Sequence, residues 1–255
     1  MKRFLERLLS LFGVNPLSIL SLPLLSRFWS DRRKFKKSGG VISVNYPILS
    51  DYKDWAGTMK GHYFHQDLLV AQKIFANRPN KHVDVGSSIS GFVSHVASFM
   101  PVEILDIRPT PSSSKNISFT QQDVMAGLTV RTPSLSCLHT LEHFGLGRYG
   151  DPIDPQGHLR GFENLVNAVD SGGIFYVSFP IGAKERVEFN AHRVFHPESI
   201  FAWPGAELLE LVDFSFVDDA GDLHTEKNVS DAVSSNLTFG CGIYTFSKVS
   251  VESTS

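Results

Sequence analysis

Three residues in the middle of the chain, His139, Glu142 and His143, have the types and spacing for chemistry. H-x-x-E-H is the pattern of inverted zinc metalloproteases. That chemistry needs both histidines on one face of a continuous helix and a third ligand further on. Phe144-Gly145-Leu146-Gly147 would break such a helix within a turn, so no metal is assigned. The run instead follows an apolar strand, Ser134 to Leu138, at the carboxyl edge where open α/β sheets place their ligands. A histidine there suits general base catalysis because it titrates near neutrality, and Glu142 either orients it or binds substrate. The following stretch, Gly145 to Gly157, is rich in glycine and proline and carries Arg148, Tyr149 and Asp151. It reads as a long loop, either a substrate-binding element or ordinary surface. His192 and Arg193 in F-N-A-H-R-V-F-H-P either face a substrate or serve as surface and capping residues.

A second constellation spans Lys81 to Pro109. A short strand, His82 to Val85, enters a turn of Gly and Ser, Gly86 to Gly91; a helix is expected over Phe92 to Met100 and a strand over Val102 to Ile107, ending near Asp106. Strand, small-residue turn, helix and strand make one unit of a parallel sheet. The turn is G-x-S-x-x-G, a dinucleotide fingerprint with Ser88 at the middle glycine. A P-loop is excluded, because Phe92 and Val93 stand where Lys and Ser/Thr must be. Asp84, two residues before the first glycine, would repel a pyrophosphate but attract an ammonium or sulfonium group. A turn that binds nothing stays open as well.

D-V-G-S-S-I-S-G with an acid at the next strand end resembles the first two motifs of class I S-adenosylmethionine-dependent methyltransferases, with Ser88 and Ser90 at the later glycines. The H-T-L-E-H run and the glycine loop resemble a divergent domain-of-unknown-function family reported from nematodes and bacteria, over about His62 to Ile200. The resemblance implies a Rossmann-like α/β fold: a mostly parallel seven-stranded sheet, a C-terminal antiparallel pair and helices on both faces. It also implies roles. Asp84, Gly86, Ser87, Ser88 and Gly91 would frame the methionine end of S-adenosyl-L-methionine. Asp106 and Ile107 would meet its ribose, and Asp123 and Val124 its adenine, although Asp123 also reads as a helix cap. His139, Glu142 and His143 would be catalytic. Arg148, Tyr149, Asp151, His192 and Arg193 would hold a small-molecule acceptor such as a sugar or glycan precursor, methylated at a hydroxyl. A non-catalytic module of the same fold and an NAD-dependent oxidoreductase are the alternatives.

These residues need a scaffold. Helical periodicity runs from His62 to about Phe75 and ends at Arg78-Pro79, and Tyr63, His65 and Gln66 on it either border the cofactor pocket or pack. Ile117 to Thr120 and Ile174 to Phe179 read as strands, His158 to Val169 as an amphipathic helix, and a further helix is expected near Pro197. Leu208 to Val217 and Gly240 to Val249 read as the closing pair, which favours a methyltransferase over a dehydrogenase, with loop from Asp218 to Thr238.

Residues 1–40 read as an amphipathic, basic extension, 41–250 as the methyltransferase-like domain with an edge strand at Val41 to Tyr46, and 251–255 as a polar tail. Up to Lys37 there are nine Lys/Arg against two acids; the remainder has 15 against 24. So acidic a body is a poor binder of nucleic acid. The extension either touches an anionic membrane surface through residues 1–37 or packs on the body. Two cysteines, Cys137 and Cys241, suit a reducing compartment, and a cytoplasmic, membrane-associated or free protein is expected.

Overall fold

The computed structural model describes residues 22–249, so the expectations for the first 21 residues and for the tail lie outside the described residues. The chain divides into two compact units, one ending at Thr58 and the other beginning at Met59. Val41 to Thr58, expected with the body, therefore groups with the N-terminal unit. That unit contains helix α1 (Leu25–Lys37), followed by extended chain without the expected strand at 41–46. Arg32 Nε donates to Asn45 Oδ1 at 2.6 Å, and the Arg27 guanidinium sits 4.4 Å over the Tyr52 ring. Among the described residues no helix is long and apolar enough to cross a membrane.

The second unit is built on one eight-stranded sheet in the order β3-β2-β1-β4-β5-β10-β8-β9. Strands β1 (His82–Val85), β2 (Val102–Asp106), β3 (Ile117–Gln121), β4 (Thr132–Leu138) and β5 (Val169–Ile181) are parallel. Strand β10 (Gly240–Lys248) runs antiparallel between β5 and β8 (Leu209–Val217). This is the expected fold with one strand more: the two-residue β9 (Leu223–His224) adds to the β8 edge. A separate hairpin, β6 (Arg186–Glu188) with β7 (His192–Val194), was not foreseen. Its strands are three residues each, too short for periodicity to register.

Helix α2 (His62–Asn77) turns Val70, Ala71 and Ile74 inward, as its three- and four-residue spacing requires. It ends on Arg78 in the left-handed region, just before Pro79. The helix expected over Phe92 to Met100 is shorter and displaced. It starts as a π turn at Ile89–Val93, bent at Gly91, and continues as α3 (Ser94–Ala97). Helix α4 (Gly157–Ala168) lies on the opposite face, burying Phe162, Leu165 and Val166. Near Pro197 there is only a 3-10 turn, Ser199–Ala202. The interval read as loop from Asp218 holds β9 and α5 (Val229–Ser234), the latter closed by a reciprocal Asn228–Asp231 capping box.

The two faces carry separate cores, one against α4 and one against α2 and α3. The first is aromatic at its centre. Phe179 on β5 has Phe195, Trp203 and Tyr244 at centroid distances of 5.2, 5.4 and 5.2 Å, and is fully buried. Phe179→Ala is expected to cost about 3–5 kcal/mol of unfolding free energy, measured by guanidinium denaturation. A loss below about 1 kcal/mol would mean that this cluster does not hold the sheet to α4.

Candidate functional site

Most of the residues expected at a site stand at the carboxyl ends of β1, β2, β3 and β4. At β1 a buried polar network fixes the turn. Ser87 donates its backbone N–H to Asp84 Oδ2 at 3.1 Å and its hydroxyl to Oδ1 at 2.6 Å; Ser136 Oγ donates to the same Oδ1 at 2.5 Å. With its proton on Asp84, Ser136 accepts from His82 Nε2 at 3.0 Å, so His82 Nδ1 accepts from Ser134 Oγ at 2.8 Å. Burial holds His82 neutral, its pKa down at about 3. Burial also raises Asp84 to about 6, against the opposing hydrogen bonds of Ser136 and Ser87. The Asp84 carboxylate thus serves the scaffold and lines neither recess at these strand tips, whereas a contact with a ligand's methionine end is expected from the sequence. Gly91 likewise packs against the Asp67 carboxylate instead of the cavity.

Gly86 does face it. It has φ of +68°, and a Cβ there would run into the Thr140 side chain, so only glycine fits. Ser88 needs no such freedom: at φ −64° it caps the π turn, its Oγ accepting from Gly91 N at 3.2 Å. Serine at the second glycine of the fingerprint is therefore unstrained.

At β2, Asp106 is gripped by its near neighbour Arg108. Nε donates to Oδ1 at 3.0 Å, Nη2 to Oδ2 at 2.6 Å and the backbone N to Oδ1 at 2.8 Å. The same guanidinium sits 4.3 Å over the Tyr149 ring. Arg108 was missed in the sequence, where only its position next to a strand-tip acid could have marked it. After β3, Asp123 Oδ1 caps the turn Val124–Ala126 by accepting from Met125 N at 2.9 Å, and its residue still lines the cavity.

At β4 the H-T-L-E-H run forms a strand tip and a 3-10 turn, Leu141–His143, with no continuous helix. His139 takes a left-handed φ of +49°. Its Nδ1 donates to Glu142 Oε1 at 2.7 Å, while Nε2 is buried without a partner. Burial disfavours its charged form, but Cys241 and Glu142 outweigh that and raise its pKa well above the ordinary value. Burial likewise opposes the Glu142 charge, and His139 reverses it, lowering that carboxyl. His143 goes the other way. Burial, helped by Arg148, lowers it against the pull of Glu142, so the ring is neutral and its Nδ1–H donates to Ala191 O at 2.7 Å.

The loop residues divide. Tyr149 and Asp151 line the cavity, but the Asp151 carboxylate accepts from Gly145 N, Gly147 N and Tyr149 N at 2.8, 3.1 and 3.1 Å and so shapes the loop. Arg148 Nη1 lies 3.2 and 3.3 Å from the two ring nitrogens of His143 and donates to Ala191 O at 3.0 Å. Arg193, expected at the substrate, is buried and fans onto the carbonyls of Glu142, Phe144, Asp154 and Pro155. His192 packs on Phe239 at 5.2 Å, its Nε2 3.4 Å from Glu188. Arg148, His192 and Arg193 line neither cavity.

Two recesses meet at these tips. One, of about 520 Å³ including its mouth, is lined by Gly86, Asp106, Ile107, Asp123, Val124, His139, His143 and Tyr149. The other, of about 1230 Å³ measured the same way, is lined by Tyr63, Ser87, Ser88 and Phe119. They share Gly86, Asp106, Arg108, His139 and Tyr149. Of the helix residues, Tyr63 borders a recess, while Gln66 is buried and accepts from Ser178 Oγ at 2.5 Å.

Residues 130–203 match the family described as Caenorhabditis protein of unknown function, DUF268, a narrower stretch than the one from His62. No curated protein matches the sequence. Among solved structures the chain is similar to the O-methyltransferase of a trans-AT PKS multienzyme of Brevibacillus brevis in complex with S-adenosyl-L-homocysteine. Identity is 12%, coverage 72% of this chain and 71% of that one, and TM-score 0.52. The (4+2)-cyclase SpnF is similar at 14% identity, 91% and 93% coverage and TM-score 0.51. The N-methyltransferase NodS of Bradyrhizobium japonicum WM9, also with S-adenosyl-L-homocysteine, gives 12%, 74% and 88%, and 0.50. The fold is that of the class I methyltransferases. A cyclase among its bearers shows that the fold by itself does not name the reaction.

The Asp84 network has a pH signature. Its folded pKa of about 6 lies above the ordinary value, so the folded state holds the proton more tightly than the unfolded one. Stability from this group is full below the unfolded pKa and lost as pH rises through about 6. Relative to Asp84→Asn, the wild type should gain on the order of 2–3 kcal/mol on acidification from about pH 7.5 to pH 4, followed by urea denaturation. A stability difference between the two proteins that stays constant over that range, or changes the opposite way, would show Asp84 ionised in the fold.

Proposed function

We propose that this protein is an S-adenosylmethionine-dependent methyltransferase acting on a hydroxyl of a small, polar, sugar-type acceptor. The observation that carries the reading is one recess lined by Gly86, Asp106 and Asp123 from the tips of three adjacent strands, together with two histidines from a fourth. A glycine that admits no Cβ lets a ligand reach the backbone at β1. The Asp106 carboxylate is suited to two vicinal ribose hydroxyls, and Asp123 with the Val124 backbone to the edge of adenine. Ser87 and Ser88 border the adjoining recess. The residues therefore fit an adenosyl group, and S-adenosylmethionine would supply there a methyl group bonded to a positively charged sulfur.

The chain's own residues supply the rest. His143 is the better base of the two histidines. It is neutral, its Nδ1–H is committed to Ala191 O, and the lone pair is thus on Nε2, within the residue that lines the recess. A base so placed takes the hydroxyl proton as the oxygen becomes nucleophilic. His139 has given its Nδ1 to Glu142 and acts as a fixed, paired charge beside the acceptor. Arg108 holds Asp106 and Tyr149 together, closing the recess on one side and helping to exclude water. Positioning of the acceptor at attack distance is the larger share of the catalysis. The N-terminal basic stretch up to Lys37 would serve an anionic membrane surface as a second contact.

Calorimetric titration with S-adenosyl-L-homocysteine tests the reading. Binding below millimolar concentration is expected, weakened about ten- to a hundredfold in Asp106→Ala and in Asp123→Ala, as for loss of a hydrogen bond to a charged group. No binding at millimolar concentration, or binding indifferent to both substitutions, would overturn it. A nicotinamide dinucleotide that binds in its place would favour the oxidoreductase.

A further inference from the structure

We propose a transition-metal site, of the kind that takes Zn²⁺, formed by His62, His139 and Cys241. These residues come from the start of α2, the tip of β4 and the start of β10, and the sequence gives them no spacing motif. One ring nitrogen of each histidine and the Cys241 sulfur all lie within 4.8 Å of one another. Two imidazoles and one thiolate are a donor set that Zn²⁺ prefers over hard cations.

An independent feature points to a ligand. His139 Nε2 is buried without any hydrogen-bond partner, on a side chain only 5% exposed. An orphaned ring nitrogen in the interior is costly, and a cation would relieve it. His139 is also held from behind, as metal ligands are. It donates Nδ1–H to Glu142 Oε1 at 2.7 Å, so Nε2 is the nitrogen that would meet the cation once its proton has left. The His62 ring stacks on Phe239 at a centroid distance of 5.3 Å, and burial keeps it neutral, its pKa lowered to about 4. Cys241 is fully buried, with only weak contacts, to Gln66 Oε1 at 3.8 Å and to Gly242 O at 3.7 Å.

The two imidazoles lie nearly parallel, 11° apart with centroids at 5.1 Å. Tetrahedral ligation brings ligand atoms to about 3.5 Å from one another, so the His62 ring must turn on its side-chain torsions. It sits half-buried on the first residue of α2, the most adjustable of the three. Binding converts the Cys241 thiol to thiolate, releases its proton and any proton on His139 Nε2 to solvent, and changes no oxidation state. Three protein ligands leave a fourth position for water or an acceptor heteroatom.

The test uses the full chain, stripped with chelator and titrated with Co²⁺ alone, without adenosyl ligand, so it succeeds or fails separately from methyl transfer. One equivalent should give thiolate-to-cobalt charge-transfer absorption, lost in Cys241→Ser and kept in Cys137→Ser. His62→Gln, at a half-buried helix start, should keep the fold and weaken Co²⁺ at least tenfold, and Glu142→Gln ten- to a hundredfold. Zn²⁺ should abolish the band by competition. Absence of a charge-transfer band, its survival in Cys241→Ser, or indifference to His62→Gln would overturn the site.

Discussion

The turn after β1 exists because a carboxylate with no access to water finds three donors. Asp84 is fully buried, and without Ser87 N, Ser87 Oγ and Ser136 Oγ it would be an uncompensated polar group in the centre of the sheet. Those donors come from the turn itself and from the neighbouring strand. Their positions therefore fix how the chain leaves β1 and how far β4 runs beside it. Leu138 N adds a further tie to Ser87 Oγ at 3.3 Å, immediately before His139. The geometry of the β4 tip is thus transmitted from the β1 turn through one serine. A half-satisfied network of this kind destabilises more than an apolar core would, which explains why the bonds run continuously from Ser134 through His82 and Ser136 to Asp84.

The same economy divides the polar residues of the carboxyl edge into those that bind the protein to itself and those left over. Arg193 has a charged head with donors in a fixed fork, and the loop from Glu142 to Pro155 presents it with four carbonyls. Asp151 supplies the complementary device, an acceptor for three amides of the glycine-rich segment. Between them a stretch with almost no regular structure acquires a defined path. That path brings Tyr149 against Arg108 and His143, whose ring it meets edge-on at 5.6 Å. What the scaffold leaves at the recess is Gly86, the Asp123 oxygen that does not cap Met125 N, and His139 Nε2, with His143 Nε2 shared only with Arg148 Nη1 at 3.3 Å.

Periodicity and turn chemistry made the sheet legible. β1 and the strand at 240–248 are bounded by Gly and Asn/Pro signals, and their apolar content survives any change of register. The candidate site was legible by position but less so by role. Asp106 and Asp123 are legible at strand tips because each acid follows a short apolar run, and the capping role that Asp123 equally offers is the one its Oδ1 performs. The inward turn of Asp84 was not legible because burial is a tertiary property: nothing in D-V-G tells whether the carboxylate turns outward or toward Ser136, 52 residues away. The packing of Arg193 was hidden for the same reason, since an arginine that satisfies backbone carbonyls resembles in sequence one that binds a substrate. The helix expected over Phe92 to Met100 is cut short because Ser88 starts the turn earlier and Gly91 bends it against Asp67.

Long-range assembly also explains why His62 and Cys241 carried no signal. Each lies in a stretch whose pattern is accounted for by packing, a helix start and a buried strand, and 179 residues separate them. They approach because β10 inserts antiparallel between β5 and β8, which carries its first residues to the carboxyl edge of the parallel strands. A parallel strand in that place would have delivered its last residues instead. The direction of one strand therefore decides that a thiol, and not the Ser247 end of the same segment, stands beside the His139 ring. The pairing of Gly242 with Phe179 and of Cys241 with Pro180 fixes the height at which it does so. Slipping β10 by one residue along β5 would turn the sulfur to the α4 face and leave His139 Nε2 facing hydrocarbon.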